Sequence, residues 1–303
     1  MDQLIKKADI LIEALPYIRN FAGKTIVIKY GGKAMVAEEL KEGFAEDVVL
    51  LKYVGLNPII VHGGGPKINQ MLETLSIEAK FIHGVRVTDE PTMEVVEMVL
   101  GGRINKEIVA LLNQHGGKAV GLTGKDGQLF TTKPFNPKSL MHRYGGSTET
   151  LQSENYGLVG EVSHVNSELL FTLQNANFIP VVAPIGVDAK GTTHNINADL
   201  VAGSLAAAIQ AEKLLMLSDV KGIRDASNHH VSTLSRKGME QMVKKKVISE
   251  GMLPKVHACL TALQGGVKKA HIIDGRVPHA VLLEIFTDKG IGTEIVACPS
   301  MEA

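Results

Sequence analysis

Short apolar runs rich in β-branched residues alternate with longer helical patterns along most of the chain. Residues 25–30 (TIVIKY) and 59–62 (IIVH) have the length of buried strands, and each precedes a helical pattern, the first at about 34–54. This βαβα order predicts a mostly parallel sheet with helices on both faces, whose ligands bind at the carboxyl ends of the strands. The order continues with strands predicted at 119–123, 179–187, 213–219, 270–273 and 292–296, and a helix at about 197–211.

Three segments between these runs have a different character. Residues 80–88 and 127–135 are typical of extended hairpins, and 136–150 is polar and loop-like. Together they are candidates for a substrate lid. A boundary between two lobes is expected within 190–212, with the helix there bridging them.

Composition narrows the function classes. With 303 residues, 45% of them hydrophobic, the chain can form its own core. Its 32 basic and 32 acidic residues cancel, so no overall field favours nucleic acid or a membrane surface, and any anion site must be local. Cys259 and Cys298 are too few for a disulfide framework and lack the spacing of a zinc site, which favours a reducing cytoplasm.

The first twenty residues are apolar but interrupted by charges such as Lys6 and Asp9, which excludes a signal-peptide core. No run of about 18 apolar residues occurs, so no membrane span is predicted. The segment is predicted to be a short amphipathic helix, stopped or kinked near Pro16 and followed by Tyr17. It either covers a core edge or packs on a sister subunit.

Two glycine-rich turns follow predicted strands. Residues 29–33 (KYGGK) begin at the end of one strand, and 62–66 (HGGGP) follow the next. Glycines let backbone N–H groups approach an oxyanion, and the helix start that follows adds a favourable dipole. Either turn alone is typical of an ordinary strand-to-helix connection. Together they favour a phosphate or carboxylate site.

The sequence does not match three other motifs that its glycine-rich segments partly resemble. Residues 23–25 (GKT) lack the upstream glycine of a Walker A loop and precede their strand. Ile68 stands where a dinucleotide-binding fingerprint needs its third glycine, which weakens a hydride-transfer function. The turn at 62–65 is similar to the oxyanion loop of some esterases, but the chain has no Gly-x-Ser-x-Gly elbow.

Charged and polar residues follow other strands. Asn197 can cap the predicted helix, which would place Asn195 and Asp199 near the glycine turns, although such residues also begin ordinary helices. Ser218 and Asp219 end another strand. The segment 251–255 (GMLPK) puts a lysine at a helix start, where a cation opposes the helix dipole unless an anion is near.

These groups suit phosphoryl transfer to a carboxylate. The attacking oxygen is already ionised at neutral pH, so no general base is needed. Lysines, glycine amides and Mg²⁺ can stabilise the charge on the transferred group, and Lys29, Lys255, Gly32 and Gly64 match that need. Asp199 between two lysines would position both and keep them charged.

With these residues in place, the chain resembles the acetylglutamate kinases of arginine biosynthesis, members of the amino acid kinase family. The resemblance covers nearly the whole length. It rests on six ordered motifs: KYGGKAM at 29–35, VHGGGP at 61–66, GVRVTD at 84–89, NINAD at 195–199, LSDVKGI at 217–223 and GMLPKV at 251–256.

The resemblance implies an open αβα sandwich with a mainly parallel central sheet and an N-terminal helical arm. It implies that residues 1–22 are an oligomerisation helix, 23–195 a lobe for the acyl amino acid and dimerisation, and 196–303 a lobe for ATP and an arginine site.

By position in the family motifs, Lys29 and Lys255 resemble transition-state stabilisers and Asp199 their organiser. The substrate contacts implied are Gly64, Gly65, Arg86 and Asn195, with Arg86 binding the α-carboxylate; without the resemblance Arg86 would be typical of a surface salt bridge. The nucleotide contacts implied are Gly31, Gly32, Ser218, Asp219 and Gly251. Mg²⁺ would bridge the ATP phosphates, chiefly without dedicated protein ligands.

Two features are similar to the arginine-inhibited branch of the family. One is the N-terminal helix, which in that branch interlaces dimers into a hexamer, a trimer of dimers. The other is an arginine site built from Tyr17, His271, Gly275 and Glu284, where the carboxylate could bind a guanidinium bidentately. Alternatively, His271 ends a strand and Glu284 is solvated.

Other functions remain open at this point. One is a related kinase for aspartate, glutamate or uridylate, although the chain leaves no room for the regulatory domain usual in aspartate kinases. The other is a non-catalytic sensor of arginine or nucleotide, which would have no need of both Lys29 and Lys255.

Overall fold

A computed structural model of the protein describes residues 1–136, 154–248 and 250–297. Its centre is an eight-stranded sheet. With strands numbered in chain order, the sheet order is β12 (Thr233–Ser235), β14 (Thr293–Val296), β13 (Lys269–Asp274), β11 (Lys213–Ser218), β1 (Thr25–Tyr30), β2 (Asn57–His62), β8 (Ile179–Val182) and β5 (Ala119–Leu122). The neighbours from β13 to β5 run parallel, and β14 is antiparallel to β13. The predicted mainly parallel sheet is confirmed.

Helices cover both faces of this sheet. The α-helices of the described residues, numbered in chain order, are α1 (Asp2–Phe21), α2 (Glu38–Tyr53), α3 (Gly65–Thr74), α4 (Glu90–Glu97), α5 (Asn105–Gln114), α6 (Ser167–Asn175), α7 (Ala198–Ala208), α8 (Arg236–Lys244), α9 (Leu253–Gln264) and α10 (Ala280–Ile285). Successive strand residues alternate between two cores, since Ile26 and Ile28 pack with α2 and α5 whereas Val27 packs with α7 and α9. The described chain is therefore a three-layer α/β sandwich.

A smaller sheet lies beside the central one. Its order is β10 (Thr193–Asn195), β9 (Ile185–Val187), β6 (Phe130–Pro134) and β7 (Gly160–Val165), and a hairpin is formed by β3 (Phe81–Ile82) and β4 (Val85–Arg86). The single strand predicted at 179–187 is wrong. It divides at Pro184, which lacks an N–H, into β8 in the central sheet and β9 in the smaller one. Most of the predicted lid loop, 137–150, lies outside the described residues.

The N-terminal helix is longer than expected. Helix α1 continues through Pro16 to Phe21, so the predicted stop at Pro16 is wrong. Proline removes one helical hydrogen bond, but Ile12, whose carbonyl loses it, is 67% exposed, so water can replace the lost partner. No helix among the described residues is long and apolar enough to cross a membrane.

The helix after the first glycine turn starts late. A 3₁₀ turn, Gly32–Met35, separates β1 from α2, where a helix from about 34 was expected. The bridging helix near the expected lobe boundary begins close to the predicted residue, at Ala198. The division at 195/196 itself stays a prediction.

Candidate active site

The carboxyl ends of β1 and β2 border a cavity of about 830 Å³. Most of the predicted site residues line it, although they come from distant parts of the chain. These lining residues are Lys29, Gly32, Gly64, Gly65, Arg86, Asn195, Asp199, Gly251 and Lys255. The cavity therefore lies where ligands of a parallel sheet are expected.

Two lysines converge on one carboxylate at this cavity. The Nζ of Lys29 lies 3.0 Å from Oδ1 of Asp199, and the Nζ of Lys255 lies 2.8 Å from Oδ2. Lys29 is contributed by β1, Asp199 by the first turn of α7 and Lys255 by the first turn of α9. The predicted arrangement of Asp199 between two lysines is confirmed as geometry.

The packing of α7 on α9 explains this convergence. A Cβ on Gly203 would lie 2.6 Å from the carbonyl oxygen of Ala258, so only glycine permits the observed approach of the two helices. Gly203 is one turn beyond Asp199, and Ala258 is about one turn beyond Lys255. The close helix contact therefore brings the carboxylate and the ammonium group together.

Burial and charge oppose each other in this cluster. Burial lowers the pKa of Lys29 below its usual range, although the Asp199 carboxylate acts in the opposite direction. Burial alone would raise the pKa of Asp199, but Lys29 and Lys255 outweigh it and hold that pKa below its ordinary value. Asp199 is thus ionised, and its charge favours the protonated form of buried Lys29.

The second glycine turn presents backbone N–H groups. The N–H of Gly63 donates to the carbonyl of Tyr30 (2.9 Å), which ties the turn to β1. The N–H groups of Gly64 and Gly65 have no acceptor within the described ranges, as expected at the start of α3. A Cβ on Gly64 would collide with Leu100 and Ile104. The turn is therefore closely packed and leaves two backbone N–H groups available to an anion.

The first glycine turn supports Lys29. A Cβ on Gly31 would lie 2.7 Å from the Nζ of Lys29, so a larger residue would displace the ammonium group. Gly32 has a φ of +69°, a left-handed conformation that favours glycine.

Arg86 is buried, not a surface salt bridge. It is only 9% exposed, and its Nη2 donates to the carbonyl of Gly65 (3.3 Å) and to Oδ1 of Asn69 (2.6 Å). Its Nη1 has no hydrogen-bond partner in the described part of the chain. A buried guanidinium with a free N–H beside a cavity can bind a carboxylate.

Asn195 and Asn197 have separate roles. The Nδ2 of Asn195 donates to Oγ1 of Thr88 (3.1 Å) at the cavity wall. The Oδ1 of Asn197 accepts from the N–H of Asp199 (2.8 Å), which confirms the predicted helix cap. This cap orients the first turn of α7 and hence the Asp199 carboxylate.

Only some of the predicted nucleotide contacts line the cavity. Gly32 and Gly251 line the cavity, whereas Ser218 is buried at the end of β11. Burial lowers the pKa of Lys29, and the charge of Asp219, the next residue after Ser218, is close enough to oppose that shift in part. Ser218 and Asp219 therefore mark the far edge of the lysine cluster, outside the cavity lining.

Comparisons with known proteins match this geometry. The sequence profile described as "Amino acid kinase family" matches residues 24–274. The chain belongs to the amino acid kinase family. Its relatives include acetylglutamate kinases of Syntrophobacter fumaroxidans, 56% identical with 97% of each chain covered, and of Aquifex aeolicus, 55% identical with 97% of this chain and 99% of the relative covered.

Solved structures share the amino acid kinase fold. N-acetylglutamate synthase from Neisseria gonorrhoeae, in complex with coenzyme A and N-acetylglutamate, has a TM-score of 0.81 at 24% identity. The match covers 96% of this chain and 64% of the synthase. Giardia carbamate kinase has a TM-score of 0.62 at 18% identity, with 91% of this chain and 100% of the kinase covered.

The predicted arginine-site residues of this amino acid kinase are only partly together. His271 Nδ1 lies 2.6 Å from Oε1 of Glu284, and both side chains are buried, so the alternative of a solvated Glu284 is wrong. His271 is also in the middle of β13, not at its end. Tyr17 contacts Asp288, just beyond the helix that carries Glu284. Gly275 instead packs on Ala34 and Leu217 at the strand end, away from this pair.

The sequence patterns missed a polar pair behind the glycine turn. His62 is fully buried, and its Nε2 lies 3.2 Å from Nδ2 of Asn105. Asn105 begins α5 directly after a π-helical segment, Met98–Ile104, whose Leu100 contacts the glycine turn. The turn motif contains His62, but nothing in the local sequence marks Asn105 as its partner.

Proposed function

We propose that this chain transfers the γ-phosphoryl group of ATP to the side-chain carboxylate of N-acetyl-L-glutamate, forming N-acetyl-L-glutamyl 5-phosphate in arginine biosynthesis. The observation that carries the proposal is the pairing of Lys29 and Lys255 through Asp199, beside the free amides of Gly64 and Gly65. Relatives at 52–56% identity over nearly the whole chain, which are acetylglutamate kinases, support the choice of substrate.

The chemistry requires positioning and charge neutralisation. A carboxylate oxygen of the substrate attacks the γ-phosphorus, and the bond from that phosphorus to the β–γ bridging oxygen breaks, releasing ADP. No proton moves, because the attacking group is already ionised. Lys29 and Lys255 stabilise the charge on the transferred group, and Asp199 holds both ammonium groups in place.

The substrate roles follow from free polar groups around the cavity. The guanidinium of Arg86, which lines the cavity, suits the α-carboxylate of the substrate, and the N–H groups of Gly64 and Gly65 suit its side-chain carboxylate and the phosphoryl group that it receives. Asn195 lines the same wall and provides a further polar contact.

ATP would occupy the side of the cavity bordered by Gly32 and Gly251, with Gly31, Ser218 and Asp219 outside the lining. Mg²⁺ would be held chiefly by the ATP phosphates and would neutralise their charge. The described residues contain no group of three His, Cys, Asp or Glu side chains that could hold a metal ion.

We propose that two segments of the chain bind the two substrates, as the family resemblance implies. Residues 23–195 would bind the acyl amino acid and form the dimer, and residues 196–303 would bind ATP. Arg86 and the second glycine turn fall in the first segment, and Lys255 falls in the second.

Inhibition by L-arginine is a further part of the proposal. Glu284 is buried and ionised: burial opposes its charge, but His271 outweighs burial and lowers the pKa of the carboxyl group. The other oxygen accepts from the N–H of Ile291 (2.9 Å). A guanidinium binding Glu284 next to Asp288, the contact of Tyr17, would couple arginine to α1. Glu284→Gln should abolish arginine inhibition and keep basal activity; unchanged inhibition would contradict this site.

A homohexamer, as a trimer of dimers, is proposed through α1 (residues 1–22 in the expected division). Its apolar side chains Leu4, Ile10, Leu11 and Ile12 are 64–72% exposed. Such a surface favours association with a second copy. Light scattering should give a hexamer for the intact chain and a smaller assembly for Leu11→Glu; equal masses would contradict this role of α1.

A hydroxamate assay with ATP and Mg²⁺ tests the catalytic proposal. N-acetyl-L-glutamate should yield acyl phosphate, and glutamate and aspartate should yield far less. Preference for a free amino acid would indicate a neighbouring kinase of the family. No acyl phosphate from any substrate would indicate a non-catalytic sensor of arginine or nucleotide.

A further inference from the structure

The glycine turn at the cavity depends on a hidden polar network. Within the described residues, the N–H of Gly63 is engaged by Tyr30 and the carbonyl of Gly64 accepts from the N–H of Ile68 (3.1 Å). The carbonyl of Gly63 points instead to the buried ring of His62, whose Nδ1 lies 2.9 Å away. This contact fixes the peptide plane between Gly63 and Gly64.

The orientation of that plane decides where one catalytic amide points. In a trans peptide the carbonyl of one residue and the N–H of the next face in opposite directions. Because the carbonyl of Gly63 is held toward the protein interior, the N–H of Gly64 must face the other way, to the cavity that Gly64 lines. A rotated plane would withdraw this donor.

The ring of His62 is itself held from behind. The Nδ2 of Asn105 donates to the carbonyl of Val181 (2.9 Å) and to Nε2 of His62. Since an amide NH₂ can only donate, Nε2 must accept and the ring proton must reside on Nδ1. A Cβ on Gly121 would collide with the Oδ1 of Asn105, so glycine at 121 makes room for this amide.

We propose that His62 and Asn105 act together as positioning residues, with Asn105 selecting the imidazole tautomer that aims the Gly64 N–H at the transferred phosphoryl group. This inference rests on the proposed function of the cavity. It assigns a task to two buried polar side chains that touch neither substrate.

The surroundings of His62 keep its ring neutral. The pKa of His62 is lowered to about 4, chiefly by burial. The hydrogen bond to Gly63 raises this pKa in part, and the charge of Lys106 lowers it. Lys106 donates to Oδ1 of Asn105 (3.1 Å). Tyr30, paired with His62 across β1 and β2, has its pKa raised by burial and stays neutral. The network therefore does not titrate near neutral pH.

Asn105→Asp provides the decisive test because it reverses the tautomer preference. A carboxylate at 105 accepts from Nε2–H and raises the pKa of His62. Below that pKa the imidazolium still donates from Nδ1 to Gly63; above it the neutral ring carries its proton on Nε2 and repels the Gly63 carbonyl. We expect kcat of Asn105→Asp to fall about 10-fold or more as pH rises through the new pKa. The kcat of the wild type should show no such fall as pH rises over the same range.

A second pair of variants covers the case in which Asn105→Asp does not fold. His62→Leu removes the donor to Gly63, whereas His62→Asn can present an N–H near the position of Nδ1. His62→Leu should lower kcat about 10-fold to 100-fold with little change in the KM for ATP, and His62→Asn should recover part of the loss.

The outcomes separate the two proposals. A wild-type chain that forms no acyl phosphate from N-acetyl-L-glutamate would overturn the proposed function. A fully active wild type together with a wild-type pH profile for Asn105→Asp, or equal kcat for His62→Leu and His62→Asn, would overturn the positioning role alone. Nitrogen NMR of the wild-type imidazole should find the proton on Nδ1; a proton on Nε2 would also overturn it.

Discussion

Asp199→Asn tests the role of the negative charge that lies between Lys29 and Lys255. The substitution keeps the size of the side chain and one oxygen, but it removes the negative charge between Lys29 and Lys255. Lys29 is 7% exposed, so it would be left buried beside a second ammonium group, with Asp219 as the acidic group that still acts on it. Its pKa must then fall further than burial already lowers it.

The size of the effect follows from the geometry. Coulomb's law at 3.0 Å, with an effective dielectric constant of about 20, gives an attraction of about 5 kcal/mol between Lys29 and Asp199. Loss of this attraction removes the main interaction that favours the charged form of Lys29, so the pKa of Lys29 falls further. Deprotonation of one cation removes transition-state stabilisation worth roughly 10²-fold to 10³-fold in kcat.

The assay is hydroxamate formation over a pH series from mildly acidic to alkaline. Asp199→Asn should lose activity at a lower pH than the wild type, because Lys29 loses its proton more readily without the carboxylate, while wild-type activity should persist to higher pH. Circular dichroism at each pH controls for unfolding. An Asp199→Asn enzyme with wild-type kcat and an unshifted pH profile would refute the assignment of Asp199.

Further changes probe other parts of the site. Lys29→Ala and Lys255→Ala should each lower kcat about 100-fold or more with the fold retained; a change confined to KM would contradict their role. Arg86→Lys should raise the KM for the acyl amino acid about 10-fold, since lysine cannot replace the planar guanidinium, while an unchanged KM would remove Arg86 from the substrate site. Gly203→Ala should lower kcat and the melting temperature together, because its methyl group forces α7 from α9; normal values of both would show that the close approach is dispensable. Burial raises the pKa of Asp47 to about 6 from 3.8, so its contribution to stability is full below about pH 4 and lost as pH rises through about 6. The loss is about 3 kcal/mol, which Asp47→Asn should remove from the pH dependence of the unfolding free energy; an unaltered slope would contradict it.

Much of the fold could be predicted from local patterns. The strand predicted at 25–30 is β1 to the residue, because buried parallel strands consist of uninterrupted β-branched runs. Strand β7, with the sequence GEVSHV, escaped prediction because it pairs only with β6 at the edge of the smaller sheet and is half exposed, so it lacks that pattern. The helix end predicted at Pro16 was also wrong because of solvent exposure. In an exposed helix, water can replace the hydrogen bond that proline removes, so α1 continues through Pro16.

The site was predictable where chemistry accompanies local structure. A lysine at a helix start is unusual enough to attract attention, whereas an acid behind an asparagine cap also begins ordinary helices; the structure shows that Lys255 and Asp199 do meet. Asn105 carries no such signal, because its contact with His62 exists only once β2, β8 and α5 have packed. Gly275 was grouped with His271 through the resemblance to the arginine-inhibited branch, but four residues along a strand span roughly 13 Å.

The most direct test of the account is a crystal structure of the chain with ADP, Mg²⁺, N-acetyl-L-glutamate and a metal fluoride that mimics the phosphoryl group in flight. The account predicts that the Nζ atoms of Lys29 and Lys255 both lie within hydrogen-bond distance of the fluoride ligands, with the Gly64 N–H on the same group. A mimic bound away from either lysine, or nucleotide and acyl amino acid in separate sites, would contradict it.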